Sequence, residues 1–279
     1  MQEQIAAGIV LYNPDEKRFR KNLNAIEPQV QRIFLADNGS QNIAEIERIL
    51  REYPKCQLIR NEKNLGIAAA LNQIFRQAES EGFQWVLTLD DDSVCDCDMV
   101  QKMIPYMEWP DIGIICPTAV DDKMDHEKGK EPEQYSYVDD CITAGSLTSV
   151  QAWEKAGCFD EKMFIDFVDI EFCKRLRLAE YQICRVNQTS VHQEYGNIDG
   201  SFSVFGKKFY KFQYSPLRIY YSVRNQIYYM KKHRKNLNIM AQLMFLTGYI
   251  GKRIFFEGRR KESIKAICRG ICDGIKMEV

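Results

Sequence analysis

Between Ile5 and Asp90 the chain alternates short β-branched apolar runs with stretches of helical spacing, and this alternation limits its fold more than any other feature. "IAAGIVLY" is stopped by Asn13-Pro14, after which "EKRFRKNLNAI" carries its apolar residues at helical spacing. "RIFLADN" runs into Asn38-Gly39, "IAEIERILREY" is again helical, and "CQLIRN" reads as a third strand. "IAAALNQIFRQAESEG" is a helix closed by Gly82, and "QWVLTLD" is a fourth strand. Strands separated in this way by helices predict the α/β class, a mostly parallel central sheet with right-handed crossovers. In such open sheets ligands sit beyond the carboxyl ends of the strands, near a switch in strand order. Asn13, Asp37 and the cluster Asp90, Asp91 and Asp92 all fall at such ends.

Adjacent carboxylates repel, so a purely structural use of "DDDS" needs caps, solvent or a cation to relieve it. On an extended segment Asp90 and Asp92 are expected to point to one side and Asp91 to the other. The rest of the composition is ordinary: 279 residues, 45% hydrophobic and 28% charged, suit one large soluble domain or somewhat more. The start, "MQEQIAAGIVLYNP", has no basic leader segment and no stretch reaches membrane-spanning length, so the chain is expected in the cytoplasm. Ten cysteines lie in core-like contexts without a CxxC pair, which predicts reduced thiols. Cys95 and Cys97 make a poor zinc pair without a second pair of ligands. "AVDDKMDHEKGKEPEQYSY", from Ala119 to Tyr137, reads as a mobile acidic excursion.

Five motifs stand in order over residues 5–230: "VLYN", "ADNGS", "NEKNLGIAAALN", "TLDDDS", and "FIDFVDIEFCKRL" followed by "VHQEYG". Together they resemble the inverting family-2 glycosyltransferases of the GT-A fold, in particular bacterial rhamnosyltransferases. The resemblance implies a nucleotide diphosphate sugar as donor and a divalent cation, Mg²⁺ or Mn²⁺, to neutralise its phosphates. It places Tyr12, Asn13, Asp37, Asn38, Asn64, Gly66, Asp90 and Asp91 around the donor, with Asp90 near the ribose. Asp92 and His192 are the implied metal ligands. Each has a plainer reading: Asp37 as a turn residue, Asn64 and Gly66 as helix cap and packing, Tyr12 as core, His192 as a surface or core histidine.

The same resemblance maps the base onto Asp169, which would take the proton of the acceptor hydroxyl as its oxygen attacks the anomeric carbon. Opening a helix favours the ionised form of that carboxylate, while a simple N-cap is the bland alternative. Asp166 and Glu171 are the candidate acceptor-binding residues. Many relatives carry Glu-Asp where this chain has Val168-Asp169. The expected reaction is transfer of L-rhamnose from dTDP-rhamnose to a glycan or lipid-linked acceptor in cell-surface polysaccharide synthesis, of the capsule or O-antigen kind. UDP-galactofuranose and UDP-hexosamines are alternative donors. A sugar nucleotidyltransferase lacks its glycine- and arginine-rich loop here, and a non-catalytic nucleotide-sugar sensor is the remaining rival.

The sequence divides into a glycosyltransferase domain, 1–214, and a basic helical region, 215–279. From Ser201 onward 17 Lys and Arg face 4 Asp and Glu, although the whole chain carries a net charge of only −1. Apolar runs mixed with Lys252, Arg253, Arg259, Arg260, Lys261 and Lys265 predict helices lying on an anionic membrane surface, at the inner face of the cytoplasmic membrane. Nucleic acid is not expected as a partner, because aromatic interleaving is sparse and the body is acidic. The stripe "RIYYSVRNQIYYM" suits either a homodimer contact or the core.

Overall fold

The computed structural model describes residues 4–121, 133–193, 198–204, 207–212, 214–256 and 260–279. Two compact units emerge: Met1–Phe164 with Val168–Glu194, and Ile165–Phe167 with Tyr195–Val279.

In the first unit the expected alternation is present. β1 (Ile5–Leu11), α1 (Glu16–Ile26), β2 (Arg32–Asp37), α2 (Ile43–Leu50), β3 (Cys56–Arg60), α3 (Ile67–Ser80) and β4 (Trp85–Asp90) follow one another. β5 (Val94–Cys95), α4 (Met99–Met103), β6 (Ile112–Asp121), β7 (Tyr135–Tyr137), β8 (Ser146–Ser149), α5 (Val150–Lys155), α6 (Val168–Leu178) and β9 (Gln182–Gln193) complete it. The sheet order is β3-β2-β1-β4-β8-β6-β9-β5, with β7 also on β9. β3, β2, β1 and β4 are parallel, as the alternation requires. Past β4 the sheet becomes mixed: β8 runs antiparallel to both β4 and β6, whereas β6 and β9 are parallel. The reason is connectivity. No helix lies among the described residues between β6 and β8, and without a crossover helix the returning strand pairs antiparallel.

Both faces of the central strands are covered, which is why β1 and β4 read as near-continuous apolar runs. The main core gathers Ile9, Leu11, Phe19, Leu23, Leu35, Leu87 and Leu89 beneath α1 and α2. Asp15 caps α1 by accepting from the Arg18 amide, and Ser149 caps α5 in the same way. Of the expected excursion from Ala119 to Tyr137, Ala119–Asp121 belong to β6 and Tyr135–Tyr137 form β7; residues 122–132 lie outside the described ones. β9 runs through His192 to Gln193.

The second unit contains the hairpin β10 (Ile198–Val204) and β11 (Lys207–Phe212), then α7 (Pro216–Lys232), α8 (Ile239–Phe256) and α9 (Arg260–Lys276). Ser215 caps α7 and Pro216 occupies its first turn. α9 packs on α7 at backbone distance: a Cβ at Gly270 would lie 2.8 Å from the Tyr220 carbonyl oxygen, and one at Gly274 would lie 2.8 Å from that of Arg224. Tyr228 and Tyr229 of the aromatic stripe are buried within this unit. Arg253, expected at a membrane surface, is instead buried and stacked 4.0 Å from the Tyr214 ring centroid, because a guanidinium sheds water readily onto an aromatic face.

Candidate active site

The register of the parallel strands sets three loop mouths side by side. Leu11 pairs with Asp37 and Val10 with Asp90, so the ends of β1, β2 and β4 share one rim, with the order reversing between β2-β1 and β1-β4. Tyr12 emerges from this rim and is 53% exposed, which removes it from the core. Asn13 takes the left-handed conformation (φ 53°). Its amide donates to Ser40 Oγ at 2.8 Å and its Oδ1 accepts from the Gln41 amide at 2.7 Å, tying β1's end to the loop after β2.

Asp37 is buried, and its carboxylate accepts from the amides of Gly39 and Ser40, both at 3.2 Å. It therefore shapes the turn that its plainer reading assigns to it, while standing on the same rim as the other carboxylates. Asn38 is buried as well, donating to the Gly66 carbonyl oxygen at 3.2 Å and accepting from Asn61 at 3.2 Å. Asn64 Oδ1 accepts from the Gly66 amide at 2.9 Å.

Gly66, not Asn64, is the N-cap of α3, with φ 90°. A Cβ there would lie 2.7 Å from the Phe164 carbonyl oxygen, so only glycine fits. The same oxygen accepts from the Ile67 amide at 2.8 Å. The first amide of α3 thus already has a backbone partner.

β4 ends at Asp90, and Asp91 and Asp92 lie in the turn beyond it, so the strand alternation expected to separate them does not extend that far. The turn is held by donors. Asn22 reaches the Asp90 carbonyl oxygen at 2.7 Å, Arg18 reaches that of Asp92 at 2.9 Å, and the Tyr12 amide reaches Asp91 Oδ2 at 3.3 Å. Asp90 Oδ2 accepts from Gln193 at 3.0 Å. Burial, followed by the charges of Asp92 and Asp91, pushes the Asp90 carboxyl up to about 7, with the Gln193 hydrogen bond opposing. Burial likewise raises Asp91 to about 6 against the Tyr12 amide. Two carboxyls that ionise reluctantly in one turn form a local surplus of negative charge that a cation relieves.

His192 stands opposite Val94 on β5, two residues beyond Asp92, and its Nε2 lies 3.6 Å from Asp96 Oδ1. Asp96 Oδ2 in turn accepts from the Ser190 amide at 2.8 Å. No group of three or more His, Cys, Asp and Glu side chains forms a ready cage among the described residues. Carboxylate and imidazole ligands of the kind carried by this turn and by β9 are the chemistry that suits a hard cation, one that keeps water and takes substrate phosphate oxygens as its remaining ligands.

Asp169 is the second residue of α6, which places it inside the first turn, not at the cap. Its Oδ1 accepts from the Ile170 amide at 2.9 Å. It lines a pocket with Thr88, Thr143, Ser146, Phe159 and Phe172, and its charge contributes to the raised titration of Asp90.

Glu171 is elsewhere: fully buried, its carboxylate is held by Arg175 at 2.7–2.9 Å. That buried pair corrects the acceptor role expected of it. Asp166 belongs to the second unit, where Arg218 Nε lies 3.2 Å from its Oδ1 and Ser222 donates to Oδ2. Asp166 and Phe167 are consecutive left-handed residues (φ 64° and 65°), and Asn225 Nδ2 donates to the carbonyl oxygens of Ile165 and Asp166 at 2.8 and 2.9 Å. Asp166's carboxylate is therefore engaged in holding this strained segment. Gln193, Asn22 and Arg18 were not singled out by sequence reasoning; their only signal was proximity to His192 or a place on the first helix.

All ten cysteines are free thiols; burial pushes Cys95 up to about 12, while Cys97 is exposed.

Comparison with known proteins agrees with this geometry. The chain is 25% identical to the dTDP-rhamnosyl transferase RfbF of Shigella flexneri over 295 residues, covering 99% of this chain and 97% of that protein. Its fold resembles Staphylococcus aureus TarS 1–349 in complex with UDP-GlcNAc (TM-score 0.62, 13% identity, 98% of this chain and 81% of that one). It also resembles the mannosyltransferase PcManGT of Pyrobaculum calidifontis in complex with GDP-Man and Mn²⁺ (TM-score 0.60, 10% identity, 100% and 77%). Residues 7–173 match glycosyl transferase family 2, and with the rim that the ends of β1, β2 and β4 share this makes the chain a member of that family with the GT-A fold.

Proposed function

We propose that this glycosyltransferase moves L-rhamnose from dTDP-rhamnose, with inversion, to a hydroxyl of a glycan or lipid-linked acceptor in cell-surface polysaccharide synthesis. The observation that carries the nucleotide-sugar reading is the Asp90–Asp92 turn, set on the same rim as Asp37 and Asn13 and held by donors from α1 and β9. The rhamnose assignment is supported by the likeness to RfbF across nearly the whole chain. UDP-galactofuranose and UDP-hexosamines are the alternative donors.

In this reading Tyr12, Asn13, Asp37, Asn38, Asn64, Gly66, Asp90 and Asp91 shape the donor side, with Asp90 meeting a ribose hydroxyl. Asp92 and His192 would hold Mg²⁺ or Mn²⁺. When bound, the cation supplies neutralisation of the diphosphate as it departs. Asp169 accepts the proton of the acceptor hydroxyl while that oxygen bonds to the anomeric carbon and the carbon–phosphate oxygen bond breaks. The proton ends on Asp169 and the electron pair on the nucleoside diphosphate. PcManGT was crystallised with Mn²⁺, which supports the cation class.

The same proposal places the enzyme peripherally at the inner membrane face. Support comes from α8, where Met240, Leu243, Met244, Phe245 and Phe255 are exposed, and from the exposed Arg260, Lys261 and Lys265 on α9. No helix among the described residues is long and apolar enough to cross a membrane. Arg253 is excluded from that surface by its burial, and Arg259 lies outside the described residues. A homodimer through the aromatic stripe of α7 is part of the proposal only through Tyr220 and Tyr221, which are half-buried, since Tyr228 and Tyr229 are buried; no role for nucleic acid is proposed.

The direct test is incubation with labelled dTDP-rhamnose, UDP-galactofuranose and UDP-N-acetylhexosamine, each with Mn²⁺ and with EDTA, and recovery of a glycoside on a lipid-linked acceptor. Rhamnoside formed only with the cation is expected. Binding of every donor without turnover would favour a nucleotide-sugar sensor.

A further inference from the structure

Gln193 is the last described residue of β9, and its side chain is buried. Its Nε2 lies 3.0 Å from Asp90 Oδ2 and 2.8 Å from Ser93 Oγ. One amide group thus spans the whole turn, which the Ser93 amide also closes onto the Asp90 carbonyl oxygen at 3.2 Å. The orientation is set by chemistry: a carboxylate only accepts, so the amide must present its nitrogen, and a flipped amide would face oxygen to oxygen. Among the described residues no other side chain hydrogen-bonds the Asp90 carboxylate.

A neutral donor at this point has a particular value. A lysine would also satisfy Asp90, but its charge would oppose a cation bound at the same turn. A glutamate would add a further anion beside three adjacent carboxylates. The amide orients one oxygen without cancelling the field and leaves the other oxygen to an incoming hydroxyl.

We propose that Gln193 is a positioning residue for the donor nucleotide, acting by holding Asp90 Oδ2 and by clamping the turn that carries Asp91 and Asp92. The inference rests on the reading that Asp90 meets the nucleotide.

The test uses the full chain and the variants Gln193→Met, which keeps volume and loses both hydrogen bonds, Asp90→Asn, and the double variant. UDP and dTDP are titrated calorimetrically in EDTA, so that the cation plays no part, and Tm is recorded for each protein. Gln193→Met is expected to weaken nucleotide binding about tenfold, as loss of a hydrogen bond to a charged group does, and in the active enzyme to raise the donor KM more than it lowers kcat. In the Asp90→Asn background the same change is expected to cost less than about twofold, because its target is already altered. A tenfold loss that persists without Asp90, or no loss in either background, overturns the inference. If Asp90→Asn alone leaves nucleotide affinity unchanged, it is the reading of Asp90 that fails. Should Gln193→Met not fold, Ser93→Ala removes one end of the clamp; a smaller loss that again vanishes with Asp90→Asn supports the proposal, and a loss indifferent to Asp90 refutes it.

Discussion

Glu171→Ala separates structure from recognition at the helix that carries the candidate base. Glu171 is 0% exposed and Arg175 15% exposed in their side chains, and the three contacts between them lie at 2.7–2.9 Å. Arg175 also donates to the Ala156 carbonyl oxygen, so removing the carboxylate strands a guanidinium that is fixed in place. Breaking a buried pair from one side costs about 3–5 kcal/mol, chiefly through the charge left uncompensated. In a unit of this size each kcal/mol corresponds to about 2–4 °C in Tm, so a fall on the order of 10 °C is expected. The assay pairs differential scanning fluorimetry with steady-state kinetics well below the new Tm. Acceptor KM is expected to stay within about twofold of the parent, since a side chain with no exposed surface meets no acceptor. An unchanged Tm with a large rise in acceptor KM would refute the reasoning and return Glu171 to the acceptor site. Arg175→Lys is expected to recover only part of the loss of Arg175→Ala, because an ammonium does not reproduce the fork of contacts.

Asp169→Asn should leave Tm and nucleotide affinity in place and lower kcat by about 10²–10⁴-fold, read from transfer assays at saturating donor; a near-normal rate would remove the base assignment. Asp166→Asn should instead lower Tm, seen by fluorimetry, because Arg218 and Ser222 lose the carboxylate that they hold. Gly66→Ala should destabilise by at least about 1–2 kcal/mol from its left-handed backbone alone, measured by urea unfolding, with the approach of the Phe164 carbonyl adding to it. Without a cation, Asp90 and Asp91 titrate near 7 and 6, above their usual 3.8, so the folded state holds more protons than the unfolded chain and stability falls as pH rises through that window. Mn²⁺ should flatten that pH dependence of Tm; an apo protein that gains stability from pH 4 to pH 7 through this turn would contradict the titration order.

Which parts were legible in the sequence follows from how local their causes are. The first four strands announced themselves because each is a short apolar run bounded by turn residues, and the Asn13-Pro14 and Asn38-Gly39 stops fell where the strands end. The mixed half did not, because β9 intersperses polar residues over twelve positions and its partners β5, β6 and β7 are remote in sequence. At the site, Asp90 could be picked from its place after an apolar strand. Gln193 could not, since its contact with Asp90 spans 103 residues and leaves no periodic trace. Glu171 was misjudged although a signal existed: Arg175 stands four residues on, the spacing at which helix side chains pair. The left-handed pair Asp166-Phe167 was invisible for another reason, because neither residue type demands that backbone and the contacts that hold it, from Arg218, Ser222 and Asn225, come from more than fifty residues away.

That last contact reaches beyond catalysis to inheritance. The boundary suggested by the sequence, at residue 214, would assign the helical tail a separate fate, a module to be exchanged when an enzyme is sent to a different surface. Yet the residues that hold the left-handed segment, Arg218, Ser222 and Asn225, lie on α7 just past that boundary, while the segment they hold, 165–167, precedes Asp169 in the chain. A chimaera joined at 214 would pair a borrowed tail with a loop that it was not selected to restrain. Such grafts should succeed only when the segment and α7 travel together, and in descent the two are expected to change in concert.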